Sequence, residues 1–117
     1  MLTFDPQAET NDPGFEQVLH RLKALVADLE AVQSGRSGAV LPKAAPLLDQ
    51  WDFAQRATIC LVGRSNGHPL LPGVGRQIAT SDLWLLSSDR RWARTLSRWY
   101  RLGEPCGDGA RVPRWHQ

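Results

Sequence analysis

The chain has 117 residues, 42% of them apolar and 22% charged, with a formal net charge of +2. That length suits a single domain, 1–117, with one modest core, and leaves no room for a separate catalytic domain. No apolar run reaches the roughly 20 residues of a membrane span, and the opening MLTFDPQAETNDPG lacks the basic start and apolar core of a signal peptide, so a cytoplasmic protein with no membrane partner is expected.

Residues 1–12 are polar and rich in turn formers, which predicts a flexible terminus. Asp12-Pro13 then marks a helix start: the carboxylate can accept from free first-turn amides, and proline at the first helical position gives up no needed donor. Phe15, Val18, Leu19, Leu22, Leu25, Val26, Leu29 and Val32 recur at three- and four-residue steps, forming one apolar stripe. Ser34-Gly35 supplies the stop, so the helix is expected over 13–33. Part of the stripe keeps a heptad-like step, which would suit a homodimer seam, but fewer than about three heptads favours a helix covering its own core.

Residues 34–56 read as a connector, with Trp51 and Phe53 expected to anchor it on the core. Ala57–Gly63 (ATICLVG) is apolar and β-branched and predicts a central strand. Asn66-Gly67 suits a tight turn with positive φ at both positions, and Pro69, Pro72 and Gly73 exclude regular structure as far as Gln77. Gln77–Ser87 is the next strand candidate. For Arg91–Leu102, a helical wheel places Arg90, Arg94, Arg98 and Arg101 opposite Trp92, Ala93, Leu96, Trp99 and Tyr100, so periodicity favours an amphipathic helix. One continuous strand would instead put Trp92, Leu96, Tyr100 and Leu102 on the same face as Arg94 and Arg98. Residues 104–117 are Gly/Pro-rich and read as a tail.

Gly67-His68-Pro69, Ile78-Ala79-Thr80-Ser81 and Trp92-Ala93-Arg94-Thr95-Leu96-Ser97-Arg98-Trp99-Tyr100-Arg101-Leu102-Gly103 resemble a family of small uncharacterised bacterial proteins. These come mainly from alphaproteobacteria and their mobile elements, and they share a G-H-P turn, a T-S strand and a T-x-S-x-x-Y-x-L-G ending. The resemblance covers roughly residues 45–104. It implies that the ending is the last strand of a meander and decides Arg91–Leu102 in favour of strand. Because the family has no assigned activity, the resemblance implies no mechanism.

Chemical signatures are sparse. Cys60, His68, Cys106 and His116 have none of the close Cys or His pairs of a zinc site, and in a reducing compartment the two cysteines read as a buried small hydrophobe and a loop thiol rather than a disulfide. No phosphate-binding glycine motif is present. Ser65, His68 and Asp82 lack a visible orienting group or oxyanion site. No catalytic residue, metal or cofactor is therefore assigned.

The arginine-aromatic cluster is the candidate binding site: Arg90, Arg91, Arg94, Arg98 and Arg101 with Trp92, Trp99 and Tyr100, and no acid from Arg90 to Gly103. Trp, Tyr and Arg are the residues enriched in interface hot spots. Guanidinium groups and rings also suit phosphates and bases, but a net charge of +2 is low for a nucleic-acid-binding domain. The expected fold is α+β, a long N-terminal amphipathic helix packed on a small antiparallel sheet of about three strands over residues 57–103. The expected function is a non-enzymatic protein-binding or regulatory module, in its narrowest form an anti-CRISPR-like inhibitor of a bacterial defence complex carried by a mobile element. Nucleic-acid binding through residues 90–101 is the alternative.

Overall fold

The computed structural model describes residues 1–106, so the expected tail from residue 107 onward, with Trp115 and His116, lies outside the described residues. The chain is α+β, and its contacts form two compact units. One runs from Thr10 to Gln55; the other combines Met1–Glu9 with the chain from Arg56 onward.

The first unit holds the helix α1, Pro13–Gln33. Its N-terminus is built as the local chemistry dictates, with Asp12 Oδ1 accepting from the Gly14 amide at 2.9 Å and Pro13 in the first turn. At the other end the Ser34 hydroxyl donates to the Glu30 carbonyl at 3.0 Å, and Gly35 takes φ of 78°, which a side chain would resist. Leu25, Leu29 and Val32 of the stripe are exposed. A single 3-10 turn, Ser37–Ala39, follows. Trp51 and Phe53, expected to be anchors, are 65% and 88% exposed and pack edge-to-face on each other at 5.5 Å. The carboxylates of Asp49 and Asp52 bond the very next amides, so this stretch satisfies its backbone locally.

Among its described residues the second unit carries six strands, twice the expected number: β1 (Leu2–Phe4), β2 (Val62–Asn66), β3 (Val74–Ala79), β4 (Leu83–Ser87), β5 (Trp92–Thr95) and β6 (Trp99–Arg101). β2 and β3 form an antiparallel ribbon, and the other four form a sheet in the order β1-β4-β5-β6. The sheet is mixed, because β1 runs parallel to β4 with Leu2 opposite Leu85 and Phe4 opposite Ser87. Residues 2–4 are thus held by a strand ladder where a loose end is expected.

The strand expected at Ala57–Gly63 begins instead at Val62. Ahead of it, Ile59 and Leu61 pack on the sheet core, while their carbonyls accept from Leu83 N and Thr80 N, each at 2.8 Å. The expected strand Gln77–Ser87 is split between ribbon and sheet. At the break the Thr80 hydroxyl donates to the Ser81 carbonyl at 2.8 Å and accepts from Leu61 N at 3.0 Å, which draws the backbone out of the ladder.

Residues 92–101 are strand, and they form two strands rather than one. A tight turn around Leu96-Ser97, closed by the Thr95 amide donating to the Arg98 carbonyl, joins β5 to β6, with Trp92 opposite Arg101, Ala93 opposite Tyr100 and Arg94 opposite Trp99. Thr95 Oγ1 accepts from Ser97 N and Arg98 N across this turn, at 3.3 and 3.2 Å. These side-chain bonds compete with helix, and the β-branched and aromatic residues around them favour the pleated form.

Candidate functional site

Strand register assigns every side chain of the four-stranded sheet to one of two faces. Leu83, Leu86, Ala93 and Thr95 lie on one face and are buried, Ala93 with no exposed surface at all. Ile59, Leu61 and Leu102 pack against the Leu83–Leu86–Ala93 cluster. Tyr100, opposite Ala93, belongs to this core face, where its ring lies 6.1 Å from that of His68.

The other face gathers Leu2, Phe4, Leu85, Trp92, Arg94, Trp99 and Arg101. Its aromatic rings form a chain: Phe4 meets Trp99 edge-to-face at 5.7 Å, and Trp99 meets Trp92 edge-to-face at 6.4 Å. Such T-shaped pairs favour ring quadrupoles and are worth about 0.5–1.5 kcal/mol each beyond area burial. The two tryptophans still stand 41% and 48% exposed. A fixed aromatic cluster beside two guanidinium groups is what this face presents.

The eight cluster residues therefore divide. Trp92, Arg94, Trp99 and Arg101 share the aromatic face, and Tyr100 turns to the core. Arg90 and Arg91 sit in the turn between β4 and β5, where Arg90 takes φ of 59° and its amide donates to the Ser87 carbonyl at 3.0 Å. The buried Ser87 hydroxyl shapes this turn: it accepts from Arg91 N and Trp92 N at 3.1 and 2.9 Å and donates to Asp89 at 2.6 Å. The Ser87 hydroxyl, and after it the Arg91 amide, hold the Asp89 carboxyl below its usual range. Arg98 follows the opposite turn, with its Nε buried and unpartnered.

Phe4 and Leu2 are the contributors that sequence reasoning missed. Alternation of apolar Leu2 and Phe4 around Thr3 was a strand signal, but three residues are too few to name a partner strand.

The His68 ring acts as a hydrogen-bond acceptor. Its Nδ1 accepts from Leu70 N and Leu71 N at 3.0 and 3.1 Å, which requires the neutral ring. Partial removal from water, and then the nearby Arg98 charge, lower its pKa and favour that form. The imidazole is thereby engaged in folding the 67–73 loop. Among the described residues no three His, Cys, Asp or Glu side chains gather where they could hold a metal ion, and no helix is long and apolar enough to cross a membrane.

A family model described as "Family of unknown function (DUF6634)" matches residues 14–109. The chain belongs to this family. The match takes in α1, the ribbon, β4, β5 and β6, so most of the aromatic face is a family region; Leu2 and Phe4 lie ahead of it. No curated protein and no solved structure matches the chain.

Proposed function

We propose that this member of the family is a small non-enzymatic protein-binding or regulatory module, and that the Trp92–Arg94–Trp99–Arg101 face is its contact surface. The observation that carries the reading is the placement of these four side chains, with Phe4, on one half-exposed sheet face. Tryptophan and arginine dominate interface hot spots because they combine large buried area with directional bonding. Rings already braced edge-to-face lose little freedom on binding, which lowers the cost of association.

The alternative, a single-stranded nucleic acid, draws on the same arginines beside the same rings. It is the weaker reading, because the interplanar angles of 73° and 87° turn neighbouring rings across each other rather than offering a row of flat stacking faces.

The test is affinity capture from a bacterial lysate with the wild-type chain and with a Trp99→Ala, Arg94→Ala variant. A partner retained by the first and lost by the second supports the reading. Capture that the substitutions leave unchanged, or no specific capture, overturns it. In parallel, micromolar binding of a single-stranded oligonucleotide that weakens steeply with salt would establish the alternative. The narrowest form of the proposal, an anti-CRISPR-like inhibitor from a mobile element, predicts that expressing the chain restores phage or plasmid entry in a strain with an active defence complex. Unchanged interference removes that form and leaves the binding module.

A further inference from the structure

β6 is the last strand of its sheet among the described residues, and its backbone polarity can be read from the ladder. Leu102 N donates to the Arg91 carbonyl at 2.8 Å, and Thr95 N donates to the Arg98 carbonyl at 2.9 Å. In an antiparallel pair, hydrogen-bonded and non-hydrogen-bonded positions alternate. With 91/102 and 95/98 bonded, Ala93/Tyr100 is bonded as well, while Trp92/Arg101 and Arg94/Trp99 are not. The N–H and C=O groups of Trp99 and Arg101 consequently point away from β5, along the open edge. The two residues that offer free backbone pairing are the ones whose side chains lie on the aromatic face.

Charge selects what can pair there. β6 has neither the proline nor the bulge that commonly blocks an edge. A second copy's β6 would bring its own Arg98 and Arg101 against the same charges, and like charges across strands are unfavourable. An acidic strand meets the opposite condition, with Arg101 on the edge strand, Arg98 just ahead of it, Arg91 and Arg94 one strand further in, and no acid from Arg90 to Gly103.

We propose that the partner presents an extended acidic segment that adds as a fifth strand beside β6, pairing its backbone with Trp99 and Arg101. Side chains on the added strand alternate between faces. The residue beside Arg101 is then a carboxylate, and the one two positions away, beside Trp99, is apolar. This inference rests on the protein-binding reading above and specifies its partner.

The test uses the whole chain and a capped, fluorescein-labelled peptide, Thr-Val-Thr-Glu-Thr-Val-Thr-Glu-Thr, with a control carrying lysine in place of glutamate. Anisotropy at low salt is expected to show the glutamate peptide binding at least about tenfold tighter than the control. Saturation is expected to slow amide hydrogen exchange at Trp99 and Arg101 by at least about tenfold. N-methylation of one alternate set of peptide amides should abolish binding, and methylation of the other set should leave it intact. Equal binding of the lysine peptide, or no binding of the glutamate peptide at millimolar concentration, overturns the proposal. Binding without slowed exchange at Trp99 and Arg101 overturns strand addition while leaving the aromatic face as a contact surface. Slowed exchange that persists in the Trp99→Ala, Arg94→Ala variant preserves strand addition and removes the face.

Discussion

Both faces of the four-stranded sheet draw on one ten-residue hairpin, 92–101, and they differ in exposure. Ala93 and Thr95 are buried on the face that Leu83 and Leu86 share, at 0% and 1% exposure. Trp92 and Arg94, their immediate neighbours, lie on the opposite face, where Trp92 stays 41% exposed. Under the proposed function, core positions are constrained by volume and the aromatic positions by what they meet. Substitutions on the two faces should therefore separate stability from binding.

The largest expected effect is on the core side. Leu86→Ala should cost about 2–4 kcal/mol of stability, because the small cluster has few side chains able to collapse into the space. Urea unfolding followed by tryptophan fluorescence measures it, and a loss below about 0.5 kcal/mol would mean that Leu86 is not a core residue.

On the aromatic side, exposed Arg101→Ala should weaken a captured partner by about 2 kcal/mol, near thirtyfold, while the unfolding midpoint moves little. Titration calorimetry beside the same urea series tells the two apart. A stability loss as large as that of Leu86→Ala would erase the distinction between the faces.

Ser87→Ala should cost about 1–3 kcal/mol, since the hydroxyl is buried and serves the Arg91 and Trp92 amides. It should also loosen the start of β5, which faster exchange at the Trp92 amide would register.

The smallest effect concerns pH. His68 has a folded-state pKa lowered from 6.5, so the unfolded chain takes the proton more readily. Its contribution to stability is present above the ordinary histidine range and is lost as pH falls toward the lowered value. Unfolding midpoints at about pH 7.5 and 5.5 should differ more for wild type than for His68→Ala. An unchanged difference would show that the Nδ1 contacts with Leu70 and Leu71 carry no linkage.

The helix was legible because its signals act over four residues. Asp12, Pro13, Ser34 and Gly35 each address the nearest backbone groups, so 13–33 could be bounded without knowing anything else. Along 91–102 periodicity favours a helix and the family resemblance decides for strand; the structure shows β-forming residues and Thr95 hydroxyl bonds in its own turn that work against the helical pattern. Strand boundaries at 57–63 and 77–87 were harder, because whether an apolar extended run pairs depends on a remote ladder.

The composition of the candidate face was beyond local reading for two reasons. Leu2–Phe4 joins the face through β4, some eighty residues along the chain, and no short-range pattern names that partner. Face membership along 92–101 depends on the phase of alternation, and the loop Leu96-Ser97 resets it. Read as one strand, Arg94 shares a side with Tyr100; folded as a hairpin, it shares a side with Trp99 and Arg101. Sequence alone thus determined the helix and the residue types of the cluster, since capping, periodicity and β propensity are local. Tertiary pairing decided which of those residues act together, because register is set by what lies across the ladder.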